Sequence, residues 1–125
     1  MTSHKAIELV LSKCSLIAEK WSEHQAFWGD SVAGVYNDIN VVAHYLVEQY
    51  EQGQTSDFEA IFDVVESILV KAEDEVKTLI IVGLFEDVQN IASHKAFSYE
   101  PFEKWLGPIS RKYWQDICVF WEQKS

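Results

Sequence analysis

Residues 57–74 read DFEAIFDVVESILVKAED. Phe58, Ile61, Phe62, Val65, Ile68, Leu69 and Ala72 recur at intervals of three and four, the period of an amphipathic α-helix. Ser56-x-x-Glu59 in front of them has the form of a capping box. The opposite side carries Glu59, Asp63, Glu66, Val70 and Glu73. Like charges one turn apart destabilise a helix by a few tenths of a kcal/mol each, and the helix dipole offsets that only in the first turn. Helix formation alone therefore does not account for the stripe. Two readings do: a solvated, solubilising face, or a surface that meets cationic side chains of a partner, with Val70 as an apolar contact. On the second reading, Asp63 and Glu66 can be reversed in charge together without harm to the fold.

The same period extends outward along the chain. Ile7, Val10, Leu11, Cys14, Ile17, Ala18 and Trp21 predict a first helix that ends near Gly29, after which Asp30 or Ser31 can cap the next. Val32, Val35, Tyr36, Ile39, Val42, Ala43, Leu46, Val47 and Tyr50 form the stripe of a second helix, stopped at Gly53. A run of about 38 residues with neither Gly nor Pro would be long for one helix of a globular domain, so a break is expected near residues 72–74. Ile81, Leu84, Phe85, Val88, Ile91 and Ala92 then mark a fourth helix. Ser98 can cap a short helix with Pro101 in its first turn. Gly107-Pro108 reads as a stop and a restart, and Tyr113, Trp114, Ile117, Phe120 and Trp121 are the buried face of the last helix. No alternating strand pattern competes. The expected fold is all-α: one compact domain over residues 1–125, a bundle of five or six helices.

The chain has 125 residues, 48% of them hydrophobic, enough for a real core. Its formal charge is −10, and the excess is local. Residues 48–75 hold nine acids against Lys71, whereas residues 76–125 are balanced. With no basic stripe, nucleic acid is not an expected partner, whereas a basic protein would be attracted and steered. No apolar run approaches the ~20 residues of a membrane span. The start lacks a signal-peptide cleavage pattern, which reads as cytosolic. Cys14 and Cys118 fall on apolar helix faces and read as buried thiols.

Motifs for chemistry are sparse. The sequence has no HExxH, no Cys-x-x-Cys, no Gly-rich phosphate loop and no Glu-x-x-His pair, so neither metal nor cofactor is expected. The four histidines lie on separate segments, and His24 and His44 read as surface or edge residues. Gly83, Asp87, Asn90 and His94 share one side of the fourth helix, where an acid and a histidine can do acid–base work. Asp87 and His94 are about 10 Å apart along the axis, too far for a direct bond. A solvated face or a buried polar network is the plainer account. The aromatic residues of the last third have core spacing, and Trp28 and Trp105, near helix ends, are expected to be partly exposed.

The segments TLIIVGLFEDVQNIASH (residues 78–94) and FEKWLGPISRKYWQDICVFW (residues 102–121) resemble a group of small, acidic, all-helical bacterial proteins, some encoded beside polymorphic toxins where immunity proteins are found. Gly83, Glu86, Asp87, Gln89, Asn90, Gly107, Pro108, Trp114 and Trp121 carry the likeness, which covers roughly the final 50 residues and not the acidic block. It implies a non-enzymatic immunity protein of a contact-dependent or similar secreted-toxin system. The cognate toxin would be a basic nuclease, blocked by electrostatic occlusion. The acidic block supplies the candidate contact residues: Glu59, Asp63, Glu66 and Val70, flanked by Glu48, Glu51, Glu73 and Asp74. The rival readings are an adaptor or regulatory binding module, and a small enzyme using Asp87, Asn90 and His94.

Overall fold

The computed structural model describes residues 1–124, with side chains described through Trp121. Among them the elements are α1 (Ser3–Leu11), α2 (Ala18–Trp28), α3 (Val35–Glu51), α4 (Phe58–Lys71), α5 (Asp74–Thr78), a π-helical stretch (Leu79–Phe85), α6 (Glu86–Ser93), a 3-10 turn (Glu100–Trp105) and α7 (Pro108–Lys124). The fold is all-helical, as the periodicity requires.

Two helices organise the bundle. α3 packs against α1, α2, the π stretch and α6, and α4 packs against α1, α5, the 3-10 turn and α7. The expected stripes are the ones buried: Ile39, Val42, Ala43, Leu46 and Val47 on α3, and Phe58, Ile61, Phe62, Val65, Ile68 and Leu69 on α4. Each large side chain buried in this way stabilises the fold by about 1.5–3 kcal/mol relative to leaving it exposed. Tyr50, Phe58, Phe62, Phe102 and Trp105 join in one aromatic cluster under the 3-10 turn. Trp28 and Trp105 are half-buried as expected.

The break after α4 falls at Ala72, whose extended backbone (φ −80°, ψ 161°) ends the helix without Gly or Pro. From Asp74 to Ser93 the chain is continuously helical, but its middle is wound as a π-helix. Gly83 lies in that stretch against α3. A Cβ there would come within 2.7 Å of Ile39 Cγ2 and 3.2 Å of Tyr36 Cδ1.

Several local expectations are corrected. The first helix is two. Ser12 Oγ donates to Leu9 O at 2.6 Å, the chain tightens into three-residue turns at Lys13 and Cys14, and Asp57 Oδ2 holds Ser15 through its N–H (2.8 Å) and hydroxyl (2.6 Å). Serine side chains that bond locally compete with the helix. Cys14 stays buried on this turn. Burial, reinforced by the Asp57 charge, pushes its thiol up to about 12, so it is an inert packing group. Cys118 is half-buried. α3 begins at Val35 behind Gly34, not behind Asp30 or Ser31, and Val32 is exposed. The capping box at Ser56 does not form, because Asp57 is the N-cap residue and its carboxylate is turned to Ser15. Ser98 does not cap the 3-10 turn and instead adopts a left-handed φ of 58°. Phe120 is exposed on α7. No helix of the described residues is long and apolar enough to cross a membrane.

Candidate functional site

The outer side of α4 presents Glu59 and Asp63, both exposed, and Val70, 56% exposed. Glu73 and Asp74 follow at the start of α5, also exposed. None of the four acids makes an ion pair or side-chain hydrogen bond among the described residues, and Asp63, beyond the first turn of α4, gains little from the helix dipole.

Glu66 is different, and its expected place on this open face is corrected. It is half-buried under the start of α7, where its carboxylate accepts from Ile109 N–H (3.0 Å), Ser110 N–H (2.8 Å) and Ser110 Oγ–H (2.7 Å). The local sequence explains why. Gly107, just ahead of the helix, has no side chain with which to cap it, and Pro108 has no N–H. The first two amides that need an acceptor are therefore Ile109 and Ser110, and a carboxylate from another helix meets both. Gly107 also leaves room: a Cβ there would sit 2.5 Å from Glu66 Cδ. Burial opposes the charge on Glu66, but the bonds from Ser110 and Ile109 outweigh it and hold the carboxyl below its ordinary range. Charge reversal at Glu66 would thus damage the fold.

The flanking acids are partly committed as well. Glu48 pairs with Lys20 of α2 at 2.6 Å, and Glu51 pairs with Lys95 at 3.4 Å. The open acidic surface narrows to Glu59, Asp63, Glu73 and Asp74, with Val70 beside them.

The structure divides the Asp87–Asn90–His94 cluster. Asp87 turns to α3 and accepts from Asn40 Nδ2 at 2.8 Å. Asn90 and His94 instead line a cavity of about 250 Å³ with Gln89, Ser93, Tyr99 and Trp121. Burial raises the Asp87 carboxyl above its usual value, against the opposing effects of Asn40 and His44. A carboxyl raised in the folded state binds its proton more readily there than when unfolded, so its charge costs stability at neutral pH and the cost fades as pH falls through the raised value. Asp87→Asn is accordingly expected to leave the protein equally or more stable at pH 7, by up to about 1 kcal/mol, and to flatten its stability between pH 7 and 4. Thermal melts across that range measure this; a clear loss at pH 7 would show that the charge itself is needed.

A second arrangement was not foreseen. His24 Nε2 lies 2.8 Å from Asp38 Oδ1, joining α2 to α3 beside a cleft of about 260 Å³ also lined by Trp21, Trp28 and Ser31. A carboxylate that orients an imidazole suits proton transfer. The partners are 14 residues apart on different helices, so spacing could not reveal them. Among the described residues, no three His, Cys, Asp or Glu side chains gather to hold a metal ion.

No curated protein and no solved structure matches the chain. A family profile matches residues 7–122, nearly the whole length, and by that match the protein belongs to the family described as a domain of unknown function, DUF7674.

Proposed function

We propose that this protein is a non-catalytic binding protein that docks a basic protein on the outer face of α4 and the start of α5. In its specific form the partner is a cognate secreted toxin, a basic nuclease, and the protein is its immunity factor. One observation carries the reading: Glu59, Asp63, Glu73 and Asp74 are exposed and unpaired among the described residues, while neighbouring acids of the same block are used by the fold. Unpaired carboxylates on one flank attract a cationic surface and speed its approach, and Val70 offers the apolar contact that a charged rim lacks.

The test pairs the protein with the product of the adjoining gene, using a poly-lysine peptide as a charge-only control. Glu59→Lys with Asp63→Lys leaves the Glu66 cap intact and is expected to weaken binding of the gene product roughly a hundredfold or more, with two charge pairs turned repulsive. Wild-type association should slow as salt rises. Unchanged affinity of the folded double variant, or binding no better than that of poly-lysine, would remove the proposal.

A further inference from the structure

One face of α2 is aromatic without a core to explain it. Trp21, His24, Gln25 and Trp28 follow at i, i+3, i+4 and i+7, so they share a side of the helix. Yet α2 buries none of its residues. Trp21 is partly buried against the core, whereas Trp28, half-buried, does not pack on it. Both tryptophans line the cleft of about 260 Å³ between α2 and the chain from Ser31 to Asp38. The Trp21 ring lies 5.3 Å from the His24 imidazole, and the imidazole meets Asp38, so indole, imidazole and carboxylate are contiguous. Asp38 also lines the cleft, with 19% of its side-chain surface exposed. Its Oδ1 is bonded to His24 Nε2 at 2.8 Å, whereas its Oδ2 has no protein partner and is not closed off from solvent.

We propose that this cleft binds a quaternary ammonium group, such as the trimethylammonium end of choline. Indole rings attract a cation through the negative face of their π system, and a fully methylated ammonium needs no hydrogen-bond partner. The charges agree with such a ligand. No Lys or Arg lines the cleft. The His24–Asp38 pair is negative when the imidazole is neutral and uncharged overall when it is protonated, so in neither state does it repel a cation. Lys20, the one Lys or Arg on α2, is held by Glu48 at 2.6 Å. Other cations fit less well. A guanidinium asks for both carboxylate oxygens, and His24 takes one of them. A primary ammonium brings three donors to a single free carboxylate oxygen. Ser31, the one hydroxyl lining the cleft, is not bonded to His24, so no nucleophile is poised there and the cleft suits binding, not catalysis. Its volume is several times the ~30 Å³ share of a single water. The site uses none of the acids of α4 and α5, so it stands or falls apart from the docking face.

Choline is the probe, and its control is the neutral alcohol of the same shape with carbon in place of the nitrogen. In the ¹⁵N-labelled full chain, the Trp21 and Trp28 indole signals are those absent from Trp21→Phe and Trp28→Phe. Choline should shift both saturably at about millimolar concentration, and the neutral alcohol should bind about tenfold more weakly or worse. Asp38→Asn keeps the shape and removes the charge. It should weaken choline about tenfold and leave the alcohol unchanged, a split that loss of structure alone would not produce. Should that variant fail to fold, Trp28→Ala, whose ring is off the core, should weaken choline to a like extent. Phosphatidylcholine vesicles separate the two sources of the group. Co-sedimentation of the chain with them, abolished by free choline, assigns it to a lipid headgroup; choline binding without co-sedimentation assigns it to a soluble cation. No saturable shift of either indole, equal binding of choline and the alcohol, or unchanged choline affinity in the folded variants would overturn the proposal.

Discussion

Replacing Glu66 by alanine is expected to lower stability by about 2–4 kcal/mol and to loosen the first turn of α7. The change removes a cap, worth about 0.5–2 kcal/mol in ordinary cases, and it strands three donors at once. Ser110 is fully buried, so its N–H and hydroxyl have little access to water, and leaving a buried donor unmet costs about 1–3 kcal/mol. Water reaching the half-buried Ile109 moderates the total. Glu66→Gln keeps an acceptor and should lose less. Gly107→Ala should reproduce much of the Glu66→Ala loss by displacing the carboxylate, so the two changes combined should cost well under their sum. Denaturant unfolding and exchange protection of the Ile109 and Ser110 amides measure this. Undiminished protection in Glu66→Ala would mean that α7 is capped by other means. The same bonds set an acid limit. Asp57, held low by the Ser15 hydroxyl and N–H against burial, and Glu66 both have folded-state values below their unfolded ones. Their contribution is complete above about pH 4–5, where the unfolded carboxyls ionise, and disappears as pH falls through the lowered folded values.

Trp114→Ala should have a comparable or larger effect, about 3–5 kcal/mol. This would be a large part of the ~6–15 kcal/mol available to a domain of this size. Trp114 is fully buried on α7. Its ring meets Phe85 of the π stretch edge-on at 5.6 Å and Tyr99 at 6.3 Å, and its Nε1 donates to Glu103 Oε2 at 3.2 Å. One side chain thus links α7, the long helix and the aromatic loop. Trp114→Phe removes the hydrogen bond and part of the ring and should cost less. A urea midpoint for Trp114→Ala within error of wild type would contradict this packing.

What the sequence discloses here is one-dimensional. The stripes of α3 and α4, the break near Ala72 and the restart at Pro108 could all be read because period and turn chemistry are local. The split after Leu11 could not, since Asp57, 42 residues on, holds Ser15. Glu66 was misplaced for the same reason. A helical wheel separates one buried face from the rest, but α4 is covered by α7 on its flank as well as by the core. Part of the acidic stripe on α4 serves another helix, since Glu66 caps α7. The Gln89–Trp121 cavity and the His24–Asp38 pair bring together residues from separate elements, so neither leaves a trace in spacing. Gly107-Pro108 did carry a usable hint, because a helix start with no capping side chain of its own must find an acceptor elsewhere.

The π winding between Leu79 and Phe85 gives the long helix one residue more than an α ladder needs, because its bonds reach the fifth residue along where an α-helix reaches the fourth. Deleting one residue there would let the ordinary α ladder close with the residues beyond it still in phase, so that Gln89 keeps Trp114, Asp87 keeps Asn40, and Val88 and Ala92 stay inside. Within the plain α turns of Glu86–Ser93 the same deletion would rotate every side chain beyond it by roughly 100°. The surface turn at residues 52–56, whose side chains are largely exposed, has no such downstream phase to keep. Homologous chains that differ in length should therefore gain or lose residues at that turn, or lose the one extra residue of the π stretch, and not within Glu86–Ser93.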